Sequence, residues 1–161
     1  MAQARDIMGR WIGIDYGVKR IGVAAADHRG AIATPATSLP GSGNASDDAV
    51  SILRWAADQD VAGIVVGLPL NMDGTDSRQT RLSRALADEL RRRTTLPVEL
   101  WDERLSTFQA DEYLSTAELR PSRRQALRDA LAAQVILQSF LDARRHNGGS
   151  HSTTEGPHES P

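Results

Sequence analysis

The sequence predicts an α/β fold: a mixed five-stranded sheet, made of a three-strand meander plus two further strands, with helices on both faces. Three observations predict it. Short apolar runs separated by Gly- and Asp-containing turns open the chain. Apolar runs of strand length then alternate with amphipathic stretches. No repeat or linker divides the chain before a polar tail, so residues 1–145 read as one domain and 146–161 as a disordered segment.

The elements follow in order. Trp11 to Asp15 is a short apolar run ending at an acid and the turn Tyr16-Gly17-Val18-Lys19, and Arg20 to Ala26 is the second strand. Ala31 to Thr34 makes the third, with Pro35 to Gly43 as loop. Ser46 or Asp47 caps a helix to about Gln59, with Val50, Leu53, Ala56 and Ala57 on one face. Val61 to Gly67 is continuously apolar, as a strand covered on both sides should be. Asp76 and Gln79 have capping-box spacing, opening a helix from about Ser77 to Arg93 in which Leu82, Leu86 and Leu90 recur every fourth residue. Pro97 to Trp101 is the fifth strand. Ser106 and Gln109 open a helix to about Ser115, and the last helix runs from Pro121 or Ser122 to Arg145, apolar nearly all round from Ala130 to Leu141.

The 161 residues can bury a core without staples, and with no cysteine neither disulfides nor thiolate zinc sites arise. The first residues lack the apolar stretch of a signal peptide, and no run approaches a membrane span; a cytoplasmic protein with no membrane partner is expected. All but one of the 19 basic residues are Arg, the better fork for phosphate oxygens, although coding composition produces the same bias. Arg120, Arg123, Arg124 and Arg128 precede Asp129 with no acid among them. Such a run is either a solvated helix face or, beside carboxylates, a hold on a polyanion.

Three acids are placed unusually. Asp15 ends the first strand and Glu103 follows the last, and ligands of open α/β sheets sit at the carboxyl ends of strands. Asp129 shares a helix face with Ala132, Ala133 and Ile136, so it points along a buried stripe. An inward carboxylate must be paired, protonated or bound to metal. Mg²⁺ or Mn²⁺ suits such oxygens, and two ions about 4 Å apart can activate a water against a phosphodiester. Singly, each acid also has an ordinary explanation: a turn residue for Asp15, a surface pair with Arg104 for Glu103, and neutralisation by an arginine for Asp129.

The strings around these acids are more specific. GIDYGVKRIGVAAAD (residues 13–27), IVVGLPLNMDG (64–74), DERLST (102–107) and DALAAQVILQSFL (129–141) resemble the four signature blocks of the YqgF/RuvX family, in that family's order, over residues 10 to 145. The resemblance implies a ribonuclease H-like fold and active-site carboxylates at Asp15, Glu103 and Asp129. Family members are described as pre-16S ribosomal RNA nucleases acting at the 5′ end of the precursor, and as Holliday junction resolvases. Structured RNA or branched DNA is then the expected partner, with a homodimer if the substrate is a junction. Lys19, Arg20, Arg104, Arg123 and Arg124 are the expected phosphate contacts. Asn71, with Gly74, shapes a loop that reaches substrate or merely turns. Gly13 and Gly17 leave room for a backbone or phosphate near Asp15.

Two rivals remain at this level. Actin-like ATPases and sugar kinases open with a similar Asp-x-Gly turn, but they close two domains on ATP, and this chain has one and no GxxxxGK loop. A nucleic-acid binder that kept the fold and lost the chemistry is the other, against which three intact acids count.

Overall fold

A computed structural model describes residues 9–106 and 120–149. The strands are β1 (Arg10–Tyr16), β2 (Arg20–Ala26), β3 (Ala33–Pro40), β4 (Val61–Leu68) and β5 (Val98–Asp102); the helices are α1 (Ala45–Ala56), α2 (Arg78–Arg93) and α3 (Pro121–Gly149). The sheet order is β3-β2-β1-β4-β5. The meander pairs antiparallel, and β4 and β5 add in parallel to β1. This is the mixed sheet expected, with β1 at its centre.

The pleat divides the core. On one face Ile12, Ile14, Ile21, Val23, Ile64 and Val66 pack under α1 and α2, with Ile52, Leu86 and Leu90 from those helices. On the other, Trp11, Ala24 and Val65 meet Ala133, Leu137 and Phe140 of α3. Small residues let α3 come close: a Cβ on Gly13 would lie 2.7 Å from Leu137 Cβ and 2.9 Å from the Ala133 carbonyl oxygen. Of the two expected uses of Gly13, the structure shows room made for a backbone, that of α3. Gly17 has a turn role too, donating its N–H to the Arg20 carbonyl at 2.9 Å.

Four expectations need correction. The third strand spans Ala33–Pro40, where Pro35 to Gly43 reads as loop. Prolines are tolerated because β3 is an edge strand, and a register shift opposite Val23 and Ala24 absorbs Ala36. The cap of α1 is Asn44, whose side chain accepts from the Asp47 N–H; its buried face is Asp48, Ala49, Ile52 and Ala56, and Val50 is exposed. Ser77, not Asp76, caps α2, in a reciprocal pair with Thr80, while Asp76 pairs with Arg84. The last helix continues to Gly149, past the Arg145 boundary. The helix expected from Ser106 to Ser115 lies outside the described residues beyond Ser106, which closes a 3-10 turn, Glu103–Leu105. Among the described residues no helix is long and apolar enough to cross a membrane.

Candidate active site

Two strand glycines organise the site. Asp15 is the penultimate residue of β1 and stands opposite Gly22 of β2. Directly opposite residues of an antiparallel pair face the same side, here the α3 side. A Cβ on Gly22 would run into the backbone carbonyl of Asp129, so α3 rests on β2 beside Asp15. On the other flank β4 pairs in parallel with β1 (Ile14 with Val66), which brings Gly67 alongside Asp15. A Cβ on Gly67 would lie 2.5 Å from Glu103 Oε1, so the Glu103 carboxyl folds back over β4. The sheet thus seats two acids from distant segments on either side of a third.

The electrostatics agree. Burial, and after it the Asp129 charge, raise the Asp15 carboxyl to about 6. Burial, then Asp15, then Asp102 raise Glu103 to about 7. Asp15 is therefore within electrostatic reach of both partners. Asp129 is held differently. Its Oδ2 accepts from Arg20 Nε at 3.1 Å and Ser38 Oγ at 2.9 Å, and its Oδ1 from Gln125 Nε2 at 3.1 Å. The three acids form a row with Asp15 in the middle, and among the described residues no three acidic or histidine side chains make a ready-made ion cage. The cleft in front, about 460 Å³, is lined by residues 15–20 and Asp129.

The expected phosphate contacts divide. Arg20 and Lys19 line this cleft, and Arg20 already spans it to Asp129. Arg104 is committed within the protein: its Nη2 pairs with Asp102 at 2.7 Å and its Nη1 donates to the Met72 carbonyl at 3.3 Å. Asn71 is exposed and is bonded within its own loop, donating to Thr75 Oγ1 at 3.1 Å. Arg123 lines a separate hollow with Ser38 and Leu127, and Arg124 lies exposed on the first turn of α3.

Sequence reasoning missed Ser38, Gln125, Gly22 and Gly67. Gln125 was readable, since it precedes Asp129 by four residues on one helix. Glycines inside strand runs mark close approach of other groups, the α3 backbone at Gly22 and the Glu103 carboxyl at Gly67. Ser38 carried none, because its strand was hidden by prolines.

The family model described as "RuvX: Holliday junction resolvase" matches residues 9–143. A Rhodobacter capsulatus protein named "Putative pre-16S rRNA nuclease" is 40% identical over 150 residues, covering 93% of this chain and 94% of its own. A Myxococcus xanthus protein of the same name is 42% identical over 136 residues, 84% of this chain and 89% of its own. Among solved structures, Thermus thermophilus RuvC in complex with a Holliday junction substrate superposes with a TM-score of 0.52 at 13% identity, over 85% of this chain and 96% of that one. That likeness is one of fold, and it is the ribonuclease H-like fold expected from the signature blocks.

Proposed function

The chain belongs to the RuvX family, and from that premise we propose that it is a divalent-metal-dependent endonuclease that processes the 5′ end of pre-16S rRNA in the cytoplasm. One observation carries the reading: Asp15, between Glu103 and Asp129, opens onto a cleft whose rim is Lys19 and Arg20. Acid at the floor and base at the rim suit a phosphodiester, whose charge is met by cations from both sides.

The residues fit a hard divalent cation. Every donor is oxygen, and Asp15 and Glu103 are carboxyls raised chiefly by burial, a cost that a bound cation would relieve. Asp15, Glu103 and Asp129 would hold Mg²⁺ or Mn²⁺, as two ions. When bound, such ions supply an activated water and neutralise charge on the scissile phosphate. The protein's own part is positional. Gly22 and Gly67 set the carboxylates at the sheet end, and Ser38 and Gln125 orient Asp129. Arg20, half exposed, can turn from Asp129 to a phosphate oxygen without disturbing the core.

A second reading, a junction resolvase, is favoured by the family model's own description. It requires a two-fold dimer that presents two such clefts. One assay separates the two. Wild type and Asp15→Asn are incubated with Mg²⁺ or Mn²⁺ and either labelled precursor RNA carrying the 5′ leader or a four-way DNA junction. Cleavage of the RNA by wild type alone is expected. Preferential, symmetric cutting of the junction would replace this reading with the second, and binding without cleavage of either would leave a non-catalytic binder.

A further inference from the structure

The loop between β4 and α2 holds one apolar side chain out in solvent on a braced frame. Met72 is 90% exposed, the most exposed of the large hydrophobics among the described residues. Around it the exposed polar groups bond to one another within the loop. The Asn71 N–H donates to the Thr75 carbonyl at 2.9 Å, and the Gly74 N–H donates to the Asn71 carbonyl at 2.8 Å. Thr75 Oγ1 donates to Asp73 Oδ1 at 2.6 Å, and Gly74 takes a φ of +86° that favours glycine. Arg104 closes the frame from beyond β5 by donating to the Met72 carbonyl.

That last contact ties the loop to the acids. Arg104 follows Glu103 directly, and its guanidinium is fixed by Asp102, the residue before Glu103. The segment that carries a site carboxylate therefore also braces the loop carrying Met72. The loop leaves the carboxyl end of β4, the same sheet end at which Asp15 and Glu103 sit.

We propose that Met72 is a wedge that packs against a nucleobase of the substrate beside the phosphodiester addressed by Glu103 and unstacks it from its neighbour. Unbranched apolar side chains, methionine among them, serve as such wedges between base steps. A frame ordered before binding lowers the entropy lost when one side chain is inserted. A protein partner is the poorer fit. A protein interface buries a contiguous apolar core, whereas Asn71, Asp73, Gly74 and Thr75 around Met72 are polar or bare and exposed. A base step accepts a single side chain.

This inference rests on the nuclease reading, and its test separates the two. Precursor RNA with a single 2-aminopurine, scanned through the nucleotides flanking the cut, is bound to Asp15→Asn protein, and its fluorescence reports unstacking. A several-fold rise is expected at one nucleotide. Met72→Ala in that background should abolish the rise and weaken RNA binding roughly five- to twentyfold, and Met72→Phe should restore both. Since Met72 buries almost nothing, Met72→Ala should leave the melting temperature unchanged. An unchanged rise in Met72→Ala overturns the wedge while cleavage by wild type keeps the nuclease reading. RNA that is neither bound nor cut removes both, and an unchanged RNA affinity in Met72→Ala with loss of a copurifying protein assigns the loop to a protein partner instead.

Discussion

Asp15 stands directly opposite Gly22 in the β1–β2 ladder, and the room Gly22 leaves is filled by the backbone of Asp129. The obstruction is a carbonyl in the middle of a helix, so it cannot swing aside as a flexible side chain would. Gly22→Ala should push α3 off the sheet and cost about 3 kcal/mol, read as a lower urea midpoint. Cleavage should fall with it. A variant of wild-type stability would mean that α3 does not rest there.

The raised carboxyls set a pH dependence with a definite sign. A carboxyl raised on folding binds more protons in the folded chain, so its contribution is present at low pH and lost as pH rises through the folded value. With Asp15 near 6 and Glu103 near 7, the protein in EDTA should lose stability as pH climbs from about 4 to above 7. Asp15→Asn removes the strain and should raise stability at pH 7.5 by on the order of 2 kcal/mol, several degrees in Tm. Hydrolysis should run the opposite way, rising with pH as both groups ionise. Calorimetry across pH checks the first trend and initial rates the second.

Arg20 is half exposed, so its bridge to Asp129 should be worth little to the fold. Arg20→Gln should shift stability by less than about 1 kcal/mol. It should raise KM for RNA and flatten the dependence of log affinity on log salt by about one phosphate contact. Equal salt slopes for the variant and wild type would remove Arg20 from the substrate.

Beneath the site, Tyr16 donates its hydroxyl to Asp48 Oδ2 at 2.6 Å, and the Ser42 N–H donates to Oδ1 of the same carboxylate at 2.8 Å. Asp48 is 1% exposed, so losing a donor is costly. Tyr16→Phe should destabilise by about 1–3 kcal/mol in urea titrations. Because Tyr16 follows Asp15 on the opposite face of β1, its loss should also lower kcat more than it raises KM.

Much of this was legible in the chain, and what was not has physical causes. The meander and the apolar run of β4 follow from period and turn residues, and β2 has the expected bounds, Arg20–Ala26. The edge strand β3 was hidden because Pro35 and Pro40 deny the ladder donors that an interior strand would need. The α1 cap moved to Asn44, and its buried face turned away from Val50 toward Ile52, because a buried Asp48 anchors the helix to Tyr16. The placement of Asp15, Glu103 and Asp129 at one end of the sheet was legible by position and surrounding strings. The Arg20 and Ser38 contacts to Asp129 were not, since pairings across 109 and 91 residues leave no local trace.

The most direct test is a calorimetric titration of Mn²⁺ into metal-stripped wild type, Asp15→Asn, Glu103→Gln and Asp129→Asn. The carboxylate row predicts binding by wild type and about a tenfold or greater loss of affinity in each variant, largest for the central Asp15→Asn. Wild-type protein that takes up no Mn²⁺, or an Asp15→Asn variant that binds it as tightly, would contradict a metal-dependent site at this end of the sheet.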